Sequence, residues 1–212
     1  MRFRLVKPND FRSIAEIHYS CRKISNGFFA NVSRSFLRQY YRILLDDPNS
    51  IILCVENDDK RICGFVSATL DARMQFLKLK KYSALFFLTL LPSLFMNPLL
   101  LRDAVVRFRS TQNKSLPQFI SSEGARGEFW VWDSRIKNSV WAVLLYQTHL
   151  RLLATIGVER LNIEVDLNNS KLLKFHEKNG AKLVRRLQVS DGRERLFMYY
   201  ELNKKYSNKI IF

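Results

Sequence analysis

Acidic residues are scarce in this chain: nineteen Asp and Glu stand against thirty-five Lys and Arg, a formal net charge of +16 over 212 residues. So basic a balance favours anionic partners, and it leaves a phosphorylated cofactor, a nucleic acid or an acidic membrane surface open. Cysteine is scarce too. Cys21, Cys54 and Cys63 are odd in number and match no zinc or dithiol spacing. A disulfide framework and a cysteine metal site are therefore not expected, and three reduced, buried thiols in a cytoplasmic protein are. The opening MRFRLVKPND alternates charged and apolar residues and lacks the apolar run of a secretion signal. No Ser-His-Asp order, metal-ligand spacing, nucleotide fingerprint or internal repeat stands out.

What is present is ordinary globular composition, 47% hydrophobic and 25% charged, enough for one domain over residues 1–212 with its own core. RFRLVK has the period of a strand, and Pro8-Asn9-Asp10 punctuates it before a helix to about Cys21. Ser33 starts a second helix whose Phe36, Leu37, Tyr40, Tyr41 and Leu44 repeat at helical spacing. SIILCVEN and RICGFVSATL read as a hairpin around Asp58 to Lys60. After an insertion, about 72–126, GEFWVWD reads as a strand, Asn138 to Ile156 as a helix closed by Gly157, and ERLNIEVD as a strand. NNSKLLKFHEKNG is a capped helix, and AKLVRRLQV and RERLFMYYEL form a closing hairpin around Ser190-Asp191-Gly192. The class is α/β, a mixed sheet flanked by helices, with a strand order that periodicity does not give.

This order, with NSKLLKFHEKNGA following a strand that ends in EVD, resembles the GNAT superfamily of acetyl-CoA-dependent N-acetyltransferases. That family's fourth helix carries Asn, Ala three on, Phe-Tyr-Glu-Lys and Gly-Phe. Asn169, Leu172, Phe175-His176-Glu177-Lys178 and Gly180-Ala181 stand at those positions here. The resemblance covers about 1–71 and 127–202, and it implies a central sheet that splays between its fourth and fifth strands. Acetyl-CoA would lie in the splay as cosubstrate, with no metal. Backbone from Phe129 to Asp133, including Val131, Trp132 and Asp133, would pair with the pantetheine arm. The pyrophosphate would sit on the amides opening the next helix, a role with its own physical basis because those amides lack internal partners.

The family's signature there is Gln or Arg, two residues, Gly, one residue, then Gly or Ala. SRIKNSVWAVLL contains no glycine. Registered by Leu144-Leu145, Ser139 and Trp141 take the glycine positions and Ile136 the Gln/Arg position. A slide of one residue brings Arg135, Asn138 and Val140 instead. Arg135, Lys137, Asn138, Ser139, Val140, Trp141, Ala142 and Asn169 are the expected cofactor contacts, with Arg135 and Lys137 supplying charge. An indole at 141 would obstruct a phosphate that must approach the backbone closely.

His176 shares an inward helical face with Asn169, Leu172 and Leu173. Its plain reading is a core histidine with satisfied nitrogens. The resemblance gives this position to a tyrosine that protonates the departing thiolate. An imidazolium of pKa about 6.5 facing a thiol of about 8.5 could do so, downhill by roughly 2.7 kcal/mol. A carboxylate must take the acceptor's proton, and Glu128 is the candidate by analogy, with Asp133 second. Either is otherwise a solvated strand end.

Residues 82–101, YSALFFLTLLPSLFMNPLLL, carry no formal charge. Spanning a membrane would divide the sheet between its two sides, so a span is excluded by the fold. Pro92 and Pro98 suggest two short helical pieces. The segment reads as a flap over the acceptor site, a homodimer contact, or an element lying on an anionic membrane. The expected activity is acetyl transfer to a primary amine of a small-molecule or protein acceptor. Phe28, Phe29, Asn31 to Arg34, the insertion and the 190–193 turn would border that pocket. The alternative is a GNAT-like module without catalysis that binds a partner or a membrane. Nucleic acid is not expected, since no groove-reading or stacking motif appears.

Overall fold

The computed structural model describes residues 1–22, 28–96, 105, 123–188 and 193–202. Strand β1 (Arg2–Leu5) leads through a 3-10 turn (Pro8–Asp10) into α1 (Phe11–Cys21), α2 (Phe28–Asn31) and α3 (Arg34–Leu45). Ser33 caps α3, its Oγ accepting from the Phe36 amide at 3.1 Å. Next come β2 (Ser50–Glu56), β3 (Ile62–Thr69), α4 (Ala72–Lys81), α5 (Ser83–Met96) and β4 (Arg126–Trp132). The chain closes with α6 (Val140–Thr155), β5 (Arg160–Asp166), α7 (Ser170–Lys178), β6 (Lys182–Gln188) and β7 (Glu194–Glu201). Gly157 and Gly180 both have φ +90°, the left-handed conformation that ends α6 and α7.

Seven strands form one sheet in the order β1-β2-β3-β4-β5-β7-β6. Every neighbouring pair is antiparallel except β4–β5. The central strands β2 and β3 are apolar on both sides because helices cover both. Leu145, Leu150 and Leu153 of α6 pack with Leu53, Val55, Val66, Leu161, Ile163 and Val165 on one face. Ile14 of α1 and Leu37, Tyr41 and Leu44 of α3 pack with Ile52, Cys54, Phe65 and Val131 on the other. Leu53 and Val55 against Ile52 and Cys54 is the period of two that sends successive side chains to opposite faces.

The insertion departs from expectation at its proline. The two helical pieces meet at Tyr82, and α5 runs straight through Pro92. Pro92 leaves the Leu88 carbonyl without its helical donor, and Leu88 is exposed, so water can satisfy that carbonyl. Pro98 lies outside the described residues, as does the 189–192 turn. α4 is capped by Asp71, whose Oδ1 accepts from the amides of Arg73 and Met74 at 2.9 and 3.0 Å. α5 lies on α3, with Phe86 5.2 Å from Phe36 between ring centroids and Ser33 Oγ donating to the Thr89 carbonyl at 3.0 Å.

Candidate active site

β4 and β5 are seven residues long but share a single pair, Arg126 with Asn162, beside a bond from the Asn162 amide to the Ala125 carbonyl at 3.0 Å. At Gly127 the strands are still close, since a Cβ there would stand 3.0 Å from Ile163 Cγ2. Beyond it they diverge. From Glu128 to Trp132 the β5 side of β4 has no strand against it among the described residues, although its other side pairs with β3 through Trp132 opposite Gly64.

A bulge interrupts β4 at the same level. Val66 pairs with Trp130 and Ala68 with Gly127, so Glu128 and Phe129 together oppose Ser67, whose Oγ accepts from the Phe129 amide at 3.2 Å. Glu128 and Phe129 therefore turn to the same face, that of α1 and α3. The Phe129 ring lies 4.6 Å from His18 and 4.9 Å from Phe29. The Glu128 carboxylate stands 3.6 Å from Arg126 Nη2, which donates to Gln75 Oε1 at 3.1 Å. The Glu128 side chain is 6% exposed, and its Oε2 has no hydrogen-bond partner among the described residues. Burial raises its pKa, while Arg126, Gln75 and Tyr40 beside it pull it back down.

The turn from β4 to α6 presents mostly exposed residues, Arg135 and 137–140. Arg135 is engaged: its Nε and Nη2 donate to the Asp133 carboxylate at 2.9 and 2.6 Å, which holds Asp133 below the ordinary carboxylate range. Lys137 has no ion partner among the described residues. Asn138 Oδ1 accepts from the Val140 amide at 3.2 Å, and the Ala142 amide turns back to the Ser139 carbonyl at 3.1 Å. The Trp141 amide has no partner among the described residues. The indole at 141, expected to obstruct, packs on Phe3 of the far edge strand, centroids 5.5 Å apart. Trp132 is turned aside as well, its Nε1 donating to the Ile136 carbonyl at 3.0 Å. Asn169 caps α7, Oδ1 accepting from the Leu172 amide at 3.2 Å.

His176 is 4% exposed. Its Nδ1 and the Tyr200 hydroxyl are hydrogen-bonded at 2.7 Å, and Tyr146 stands edge-on to its ring at 5.2 Å. Burial lowers its pKa to about 4, so the imidazole is neutral at pH 7. That removes the population of imidazolium that an unperturbed histidine would hold. On the same face Trp130 bridges β4 to both helices, 4.8 Å from Tyr146 and 4.6 Å from Phe175.

A sheet with one parallel junction that opens beyond its first pair has counterparts among solved structures. A variant of the spermidine N-acetyltransferase SpeG from Vibrio cholerae superposes with TM-score 0.57 at 15% identity, covering 98% of both chains. Aminoglycoside 6'-acetyltransferase type Ii gives 0.56 at 13%, covering 95% of this chain and 97% of that one. An N-acetyltransferase from Staphylococcus aureus Mu50 gives 0.56 at 8%, over the same shares. The chain has the GNAT fold. No family model matches the sequence, and no curated protein matches it. On the GNAT fold the expected cofactor residues fall into three groups. Val131, Trp132 and Asp133 lie along the open strand. Arg135, Lys137, Asn138, Ser139, Val140, Trp141 and Ala142 form the turn and first helical residues. Asn169 stands apart as a helix cap. Sequence reasoning missed Gln75, Tyr40 and Tyr200. Gln75 sat in an insertion without a pattern, and Tyr40 and Tyr200 read as core positions of amphipathic elements.

Proposed function

We propose that this chain is an N-acetyltransferase that moves an acetyl group from acetyl-CoA to a primary amine by direct attack. The observation that supports this best is the parting of β4 from β5 after one pair. It leaves the β5 side of β4 without a strand among the described residues from Glu128 to Trp132 and leads along the chain to the Trp141 amide at the start of α6, which has no partner among the described residues. That strand edge and that amide fit an extended amide-bearing arm and a pyrophosphate, with Lys137 as the unpaired cation at the anion end. Bound there, acetyl-CoA supplies an activated thioester. Glu128 takes the proton from the amine as it attacks, its carboxyl raised toward neutrality by burial, with Tyr40, Gln75 and Arg126 beside it. His176, neutral and tied to Tyr200, holds the α7 end of the opening in shape. It does not serve as an imidazolium donor. The unpaired Cys21, Cys54 and Cys63 suit a reducing compartment, which agrees with a cytoplasmic site of action.

Titration calorimetry with acetyl-CoA tests the cofactor half, and thiol release across a panel of amines tests the transfer half. Micromolar binding and release with at least one amine are expected; absence of binding at millimolar cofactor would overturn the reading. The second reading is a GNAT-fold module that binds without catalysis. It is favoured by one observation, the Arg135 guanidinium spent on Asp133 where a phosphate would need it.

A further inference from the structure

We propose that the outer face of α5, together with the end of α4, docks on an anionic membrane surface. The fourteen residues of α5 carry no charge. Its inner stripe, Phe86, Leu90 and Ser93, lies against α3 and the aromatic core, with Leu90 and Ser93 buried. The opposite stripe is just as apolar and is partly exposed. Phe87 is 50% and Leu88 59% exposed, and Leu85 and Leu91 are exposed with them. A helix that is hydrophobic all round is normally covered all round. α4 adds Met74 and Leu77, one turn apart and both about half exposed.

Charge selects the occupant. Between Ala72 and Met96 there are four cations, Arg73, Lys78, Lys80 and Lys81, and no acid. Lys78 is tied to Asp46, whereas Arg73, Lys80 and Lys81 are exposed without an ion partner among the described residues. A second copy placed face to face would bring these cations together at a cost, while an anionic lipid surface neutralises them around a buried apolar centre. The helix lies along the interface and does not cross it. At 1.5 Å per residue α5 is about 21 Å long, short of a hydrocarbon core of about 30 Å. No helix among the described residues is long and apolar enough to span one.

Vesicle flotation of the purified full chain decides the matter. Flotation is expected with vesicles of phosphatidylcholine and phosphatidylglycerol, weakening with salt, and not with phosphatidylcholine alone. Phe87→Ser with Leu88→Ser, and separately Lys80→Glu with Lys81→Glu, should each reduce the floated fraction about tenfold, with melting temperature and acetyl-CoA affinity unchanged. Three results would overturn the proposal. The wild type could fail to float with anionic vesicles, or both double variants could float as it does. The wild type could also sediment as a dimer that the Phe87/Leu88 variant dissociates, without vesicle binding. Acetyl-CoA calorimetry is read separately, so failure here leaves the enzymatic reading standing or falling alone.

Discussion

Glu128 and His176 are both withdrawn from water, and burial moves each toward its neutral form. For a carboxyl that means a base poised nearer neutral pH; for an imidazole it means no acid at neutral pH. Glu128→Gln is accordingly expected to lower kcat by about 10²- to 10⁴-fold while leaving acetyl-CoA affinity intact, measured by thiol release and calorimetry. Full turnover in that variant would remove the base role. His176→Gln is expected to cost about 1–3 kcal/mol in urea unfolding, because it disturbs a bond to a fully buried Tyr200 hydroxyl. The shape of its pH–rate profile between pH 6 and 8 should match the wild type, and a lost limb in that range would restore histidine as the acid. His176 was legible as an inward helical residue, but its state was not. That state is set by Tyr200 and Tyr146, which come from a strand and a helix remote in sequence.

At the scale of elements, β4 shows where pattern reading succeeds and where it stops. GEFWVWD is plainly a strand, yet strict alternation would put Glu128, Trp130 and Trp132 on one face. The bulge breaks that parity, sending Glu128 to the α3 side and leaving the two indoles on the α6 side. Such a bulge depends on what the neighbouring strand offers, here Ser67 Oγ, and no local residue pattern announces it. Two helix starts were readable because their chemistry is local: Ser33 and Asn169 cap as their residue types suggest. Gly64 marks a close approach of β3 to β4, where a Cβ would stand 2.5 Å from Trp132 Cε3 and 2.8 Å from the Val131 carbonyl oxygen. Gly64→Ala should therefore cost roughly 1–3 kcal/mol and weaken acetyl-CoA binding by shifting the open strand, read by unfolding and calorimetry. An unchanged affinity would separate Gly64 from the site.

Across the whole molecule, all three histidines are buried, and burial lowers each pKa from 6.5 to about 4. Between those values the unfolded chain binds more protons than the folded one, so stability rises with pH there. The stabilisation is complete above about pH 6.5 and lost as pH falls toward 4, by roughly 3 kcal/mol per histidine. Urea unfolding midpoints should drop steeply over that window, and His149→Leu should remove about a third of the slope. A flat profile would mean that the rings take up protons in the native state without penalty. The class of the fold was legible from the succession of periods, whereas the strand order was not. Which strands become neighbours depends on how α6 and α7 close over the sheet, and periodicity within a strand carries no record of that.

The chain has three tryptophans, two on β4 and one in the first turn of α6. Trp130 leans on Tyr146 and Phe175, Trp132 donates to the carbonyl of the turn at Ile136, and Trp141 rests on Phe3. The protein's tryptophan fluorescence therefore comes from β4 and the first turn of α6. Occupation of the gap should be visible as a shift or quenching of emission in the unlabelled protein, and a Trp130→Phe variant should lose the larger part of that signal.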